Sequence, residues 1–239
     1  MTQDAAPVVF TRAGVLRGMR EAVPLLFGLA PFGIIAGIAA QGAGLNLAGC
    51  MLMSALVFAG ASQLVALAGW GHPVPVLAVT LAVFAVNLRL ALMGPVLAPW
   101  LDQLRGWRLW GSLFVMTDQN WAQAVDDMNN GGRDAGILFG SGVALWVMWI
   151  VTTAAGHVAG LLLRPPPGHP LFFAALAVFV AFLVTMWRGR GDLLPWVVAA
   201  LVALALSRIL PGTFWYIVGG ALAGSLIGGL RDHYRRAAK

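Results

Sequence analysis

The stretch AVPLLFGLAPFGIIAGIAAQGAGLNLAGCMLMSALVFAGASQLVALAGWGHPVPVLAVTLAVFAVNL, residues 22–88, contains no Asp, Glu, Lys or Arg. As a single α-helix, at about 1.5 Å per residue, it would be about three times as long as the roughly 30 Å hydrocarbon core of a bilayer. The chain must therefore fold back on itself. Clusters of glycine and proline at 41–44 and 69–75 provide two turns. The stretch thus predicts three membrane spans, at residues 22–40, 45–68 and 74–101.

The composition of the whole chain extends this prediction. Of the 239 residues, 60% are hydrophobic and 10% are charged, whereas soluble domains contain about 25% charged residues. A water-soluble globule is thereby excluded, and we expect an all-α, polytopic transmembrane helix bundle that forms one permease domain over residues 1–239. Further spans are predicted at 109–125, 135–163, 171–187, 193–207 and 213–230.

The number of spans depends on the stretch 109–125, which contains Asp118. If it crosses, there are eight spans with both termini in the cytoplasm, and most basic loop residues lie inside, as the positive-inside rule requires. If it does not cross, a seven-span arrangement with the N-terminus outside satisfies the rule as well. Both arrangements remain open.

The net positive charge of the chain indicates no binding partner other than the lipid bilayer. The net charge is +6, but the basic residues are scattered between apolar runs, which does not favour nucleic acid. Cys50 is the only cysteine, so no intrachain disulfide forms. No phosphate-binding loop occurs, and the four histidines are far apart, so we expect neither a cofactor nor a metal.

Two charged residues lie within predicted spans, where lipid should exclude them. A lone arginine at the bilayer centre costs about 3 kcal/mol or more, so Arg89 needs a partner, and Asp118 is the acid available in another span. One interpretation is a structural ion pair that fixes helix register. The other is that Arg89 binds a substrate carboxylate while Asp118 accepts an ammonium group or a coupling proton.

Several other residues are predicted to shape a substrate site. Pro31 and Gly33 interrupt the first span, and a broken helix is tolerated where it lines a cavity, although a simple packed kink remains an alternative. Ser62, Gln63 and Asn87 would orient the substrate as polar groups within spans. Phe58, with the neighbouring Val57, would surround an aliphatic side chain. The late glycines 219, 220, 224, 228 and 229 are interpreted as a helix contact face.

An enzyme remains the less favoured alternative. Gly60-Ala61-Ser62-Gln63 satisfies a loose G-x-S-x pattern, and an intramembrane serine protease with Ser62 as nucleophile and His157 as base is conceivable. The full motif requires glycine where Gln63 stands. We therefore expect a protein that is not an enzyme.

Four short motifs follow one another in a familiar order. They are PFG at 31–33, AGL at 43–45, VFAGASQ at 57–63 and NLR at 87–89. This succession resembles the AzlC family, the large subunit of bacterial branched-chain amino acid exporters, over about the first hundred residues. Thr117 and Asp118 are similar to a Thr-Asp-Glu element of that family and would serve coupling. Gln119 stands where the family usually carries glutamate, and Leu90 where histidine is common.

The resemblance implies a function and a partner. It implies an inner-membrane permease that exports valine, leucine or isoleucine with the proton gradient, together with a small hydrophobic subunit of the AzlD type. The departures at Gln119 and Leu90 affect the expected coupling ion and substrate range. A non-transporting membrane subunit, in which Arg89 and Asp118 only lock helices, is the alternative.

Overall fold

A computed structural model describes residues 7–70, 73–163, 191–211 and 215–237, together with 180, 184, 187 and 189. The helices are α1 (Arg12–Glu21), α2 (Val23–Gly42), α3 (Leu47–Val57), α4 (Gly60–Ala68), α5 (Val76–Met93), α6 (Ala98–Leu101), α7 (Trp107–Phe114), α8 (Asp118–Asn129), α9 (Gly136–Leu163), α10 (Leu193–Ile209) and α11 (Trp215–Ala237). A 3₁₀ turn, Gly94–Leu97, connects α5 to α6. The described residues form no β-strand, and the predicted all-α class is confirmed.

Among the residues that the structure describes, three helical segments are long and apolar enough to cross a membrane. They are Val23–Gly42, Val79–Leu101 and Gly136–Leu163, and they match the predicted spans 22–40, 74–101 and 135–163. Helix α10 covers the predicted span 193–207, and α11 covers the described part, 215–230, of the predicted span 213–230. The predicted span 171–187 lies outside the described residues except at 180, 184 and 187.

Helices α1 and α2 run parallel to α9 and approach it backbone to backbone. A Cβ added to Gly18 would collide with the carbonyl of Ile137, and one added to Gly37 would collide with the carbonyl of Thr153. Conversely, a Cβ added to Gly156 of α9 would collide with the carbonyl of Ile34 of α2. Small residues spaced by four permit such close packing between apolar helices, so the α2–α9 pair forms the centre of the bundle.

The interruption predicted for the first span lies in the second span instead. Helix α2 continues through Pro31, because its apolar side chains pack with the α9 residues Leu145 and Trp149 in one buried cluster. That packing offsets the backbone hydrogen bond that proline removes. The second span divides into α3 and α4 at Phe58, whose φ of 33° ends α3 in the left-handed conformation.

The predicted span 109–125 is also interrupted. Helix α7 ends at Phe114 and α8 begins at Asp118, so Asp118 is the first residue of a helix. At about 1.5 Å per residue, neither helix alone would cross the hydrocarbon core. Within the described ranges the chain therefore contains two divided helices, α3/α4 and α7/α8.

Helices α10 and α11 pack through the predicted glycine face. Gly219 lies against Leu206, and Gly220 and Gly224 lie against Ala199. The interpretation of these glycines as a contact surface is confirmed for these three positions. Nothing lies near Gly229 within the described residues.

Candidate functional site

The two helix interruptions open onto one cavity, of about 460 Å³, which lies within the usual range for small-molecule sites. The cavity is bounded by α2, by the α3/α4 junction, by α5, by the α7/α8 junction and by α9. Its lining residues are Pro24, Leu25, Gly28, Leu29, Phe32, Phe58, Ala59, Gly60, Ala61, Arg89, Leu90, Met116, Thr117, Asp118, Gln119, Leu145 and Trp149. The wall is mostly apolar, and its charged members are Arg89 and Asp118.

Arg89 and Asp118 form an ion pair in the cavity wall. Nη1 of Arg89 lies 2.8 Å from Oδ2 of Asp118, with 40% of the arginine side chain and 20% of the aspartate side chain exposed. The Nε atom of Arg89 is buried without a hydrogen-bond partner among the described residues. The guanidinium therefore retains unused donor capacity beside an open space, although it already has an acidic partner.

The start of α8 holds Asp118 in place. Thr117 is the N-cap residue of α8. The side-chain oxygen Oδ1 of Asn120 accepts a hydrogen bond from the backbone N–H of Thr117 at 2.7 Å, which completes a capping box. The amide nitrogen of Asn120, which is fully buried, donates to the carbonyls of Val115 at 2.9 Å and Leu138 at 3.1 Å. Asn120 thus fixes the α7/α8 junction against α9. The sequence analysis did not identify Asn120, although the Thr117-x-x-Asn120 spacing is a variant of the capping box.

The polar residues of α4 are engaged with neighbouring helices. Ser62 donates to Oδ1 of Asn87 at 2.7 Å, which connects α4 to α5. Gln63 donates to Ser54 at 3.3 Å and accepts from the indole N–H of Trp149 at 2.7 Å. Among the described residues, neither Ser62, Gln63 nor Asn87 is in the cavity lining. They lie directly behind it.

The remaining predicted site residues divide between the cavity and the helix interfaces. Phe58, Thr117 and Asp118 line the cavity. Gly33 faces Thr152 of α9, Pro31 is exposed, and Val57 lines a separate apolar groove with Ser62 and Gln63. The structure thus gathers Arg89, Asp118, Thr117 and Phe58 around one space and places Pro31 and Gly33 outside it.

Two aromatic residues of the cavity were missed by the sequence analysis. Phe32 and Trp149 pack with their ring centroids 5.5 Å apart, and both line the cavity. Trp149 lies in a long apolar run in which nothing distinguishes it from an ordinary core residue. Only the packing of α9 against α2 brings Trp149 to the cavity.

The geometry does not assemble the serine protease site. The Ser62 hydroxyl donates to Asn87, and Nε2 of His157 bonds to the carbonyl of Leu45 at 2.8 Å, while its Nδ1 has no partner among the described residues. A nucleophile and its base must be within hydrogen-bond reach of one another. Within the described part of the chain, no group of three potential metal ligands occurs.

These features define a helical membrane protein with a charged pair in the wall of an apolar cavity. The family profile described as AzlC protein matches residues 24–163, and the chain belongs to the AzlC family. The chain is 30% identical to an uncharacterized membrane protein of Archaeoglobus fulgidus over 89% of this chain and 93% of the relative. It is 28% identical to the inner membrane protein YgaZ of Escherichia coli over 90% of this chain and 88% of the relative. No solved structure matches the chain.

The family assignment is that of a transport-associated membrane family and not of an enzyme family. The chain is accordingly a membrane protein whose features are consistent with a transport subunit. The matched residues 24–163 include both divided helices and the whole cavity lining. The candidate site therefore lies entirely within the part of the chain that defines the family.

Proposed function

We propose that this protein is a secondary exporter of valine, leucine and isoleucine in the bacterial inner membrane, forming one permease domain. The observation that carries the proposal is the Arg89–Asp118 ion pair in the wall of an apolar cavity. A zwitterion with an aliphatic side chain presents one anionic group, one cationic group and one apolar group. The cavity offers a complementary surface for each of the three.

Arg89 binds the substrate carboxylate in this proposal. The side chain of Arg89 is 40% exposed, and a guanidinium can donate two parallel hydrogen bonds to a carboxylate. Asp118 then accepts the ammonium group, so the substrate replaces each partner of the ion pair. Because the pair re-forms when the substrate leaves, the empty carrier does not expose an isolated charge to lipid.

Proton coupling follows from the same carboxylate. In this proposal Asp118 carries either the substrate ammonium group or a proton, so that solute and proton bind in alternation, as proton antiport requires. Moving one charge across 100 mV is worth about 2.3 kcal/mol, or roughly a fiftyfold concentration gradient. One proton per solute is therefore sufficient to drive export. Thr117 contributes by capping the helix that positions Asp118.

The proposal includes a small hydrophobic subunit of the AzlD type. Support comes from the family to which the chain belongs. The chain also has helices such as α10 whose large apolar side chains are widely exposed in isolation, so it offers apolar surface to lipid or to another membrane protein.

A second candidate function is that of a membrane subunit in which Arg89 and Asp118 serve only architecture. The closed 2.8 Å contact between α5 and α8 favours it. In that case the pair would fix the register of two helices, and no solute would compete for its charges.

Efflux of branched-chain amino acids from loaded cells separates the two candidates. Cells expressing the chain, with and without an adjacent gene for a small subunit, are assayed at two external pH values. We expect Arg89→Ala to abolish efflux while the protein still reaches the membrane, and Arg20→Ala, which alters an exposed arginine of α1, to behave as wild type. Normal efflux by an Arg89→Ala variant that reaches the membrane would show that the Arg89–Asp118 pair has only a structural role.

A further inference from the structure

Gly60, the first residue of α4, lies at the cavity against Phe32 of α2 and Trp149 of α9. A Cβ built on Gly60 would lie 2.6 Å from Cε1 of Phe32 and 2.7 Å from Cη2 of Trp149. Both distances are shorter than van der Waals contact permits. The absence of a side chain at Gly60 is therefore what allows the two aromatic rings to occupy their positions in the cavity wall.

Trp149 cannot easily move away from this contact. Its side chain is 1% exposed, and its indole N–H is held by Gln63, which is held in turn by Ser54. Phe32 is only half-buried and packs against the indole at 5.5 Å between centroids. A group added at Gly60 must displace Phe32 or project into the cavity itself. Either response reduces the space available to an apolar solute.

We infer that Gly60, together with Phe32 and Trp149, limits the size of the apolar group that the cavity accepts. The inference rests on the proposed function, because it assumes that the cavity binds a solute. In this inference, the residues beside α4 select among aliphatic side chains by size. Arg89 and Asp118 bind the charged groups that all such solutes share. Gln63 is then a positioning residue, which acts on the solute through Trp149.

The test measures binding of a size series to the purified protein, together with any subunit that co-purifies, through the thermal shift that each compound produces. The series is alanine, valine, leucine and phenylalanine, run beside the carboxylic acids that lack the amino group, namely propanoate, 3-methylbutanoate, 4-methylpentanoate and 3-phenylpropanoate. The acids are included because they retain the apolar group and the anion without the cation.

Gly60→Ala is expected to weaken leucine binding about tenfold more than alanine binding, which is the usual effect of one methyl group in an apolar pocket. Gly42→Ala is the matched control, since it lies on α2 outside the cavity with nothing within 4 Å of an added Cβ. The ratio of leucine to alanine binding should remain as in wild type in that control.

Phe32→Ala tests the same inference in the opposite direction and does not depend on the folding of Gly60→Ala. It should raise the affinity for phenylalanine relative to leucine by about tenfold. Equal effects of both variants on every member of the series would overturn the inference. If wild type binds the acids but not the amino acids, the proposed function fails while the size limit is still measured. If wild type binds neither series, the inference fails as well.

Discussion

Arg89 of α5 and Asp118, the first residue of α8, form an ion pair in the cavity wall, with 2.8 Å between Nη1 and Oδ2. The contact joins the long helix α5 to the point at which the divided helix α7/α8 is interrupted. Each partner is only partly exposed, so removing either one leaves the other charge with less compensation. The same two atoms serve both stability and, in the proposed function, substrate binding.

An exchange of the two charges separates those roles. Arg89→Asp and Asp118→Arg should each destabilise the protein by about 1–3 kcal/mol, less than for a fully buried pair. The double variant restores an ion pair and should recover most of the thermal stability. It should not recover amino acid efflux, because the carboxylate-binding and ammonium-binding positions are reversed. Recovery of both properties by the double variant would show that only the pairing matters.

Asn120 offers a test of the α7/α8 junction. Asn120→Asp retains the acceptor for the Thr117 N–H but replaces the donor to two buried carbonyls with an anionic oxygen. We expect a loss of about 2–4 kcal/mol, since a buried unsatisfied or charged group costs at least that much. Thermal unfolding in detergent measures the loss. Asn129→Asp, at the exposed end of α8, is the control and should change stability little.

The backbone contact between α2 and α9 predicts sensitivity at Gly156. Gly156→Ala places a methyl group against the carbonyl of Ile34, and overpacking of this kind costs about 1–3 kcal/mol. Gly229→Ala adds the same methyl group to a helix where nothing lies within 4 Å. We expect a lower midpoint of thermal unfolding for the first variant and an unchanged or higher one for the second. Equal midpoints would contradict the close approach.

A polar network outside the three long apolar helical segments connects α1 to α8. Arg17 lies 2.7 Å from Glu21 and 2.8 Å from Asp127, and Gln123 donates to Glu21 at 3.0 Å. Burial would raise the pKa of Glu21, but the hydrogen bonds from Arg17 and Gln123 outweigh it and hold the pKa below its ordinary value. The ionised carboxylate therefore stabilises the fold above the ordinary carboxyl range, and this contribution is lost as pH falls through the lowered pKa.

Glu21→Gln should accordingly be less stable than wild type at pH 7, by about half a kcal/mol because the pair is largely exposed. The difference should disappear as the pH falls through the lowered pKa of Glu21. Thermal unfolding of both proteins at several pH values provides the measurement, with Asp126→Asn, an exposed neighbour on α8, as the control. A difference that is constant with pH would exclude ionisation as its cause.

Much of the fold could be predicted from hydropathy because lipid imposes a simple requirement on sequence. Helices α2, α9 and α10 fall close to the predicted spans. The pairing of Arg89 with Asp118 followed from the cost of leaving either charge alone in lipid. Phe58 lines the cavity, but its left-handed backbone conformation was not predicted.

The rest depends on contacts between residues distant in the chain. Proline is the strongest sequence signal for a break, yet α2 absorbs Pro31, and Phe58 interrupts the second span without any proline. Both segments pack on α9. Helix α2 packs against Leu145 and Trp149, and at the end of α3 the indole of Trp146 donates to the carbonyl of Ala55 at 3.0 Å. Hydropathy does not indicate which helices become neighbours, so Asn120 and Trp149 were not identified.

The mutual insertion of backbone between α2 and α9 has a mechanical consequence. Helices that meet through flexible side chains can slide past one another, but α2 and α9 meet through Gly37 and Gly156 with carbonyl groups lodged where a Cβ would stand. Sliding would force these groups into collision. In the proposed transport function, α2 and α9 would therefore move as one unit when access changes from one membrane face to the other.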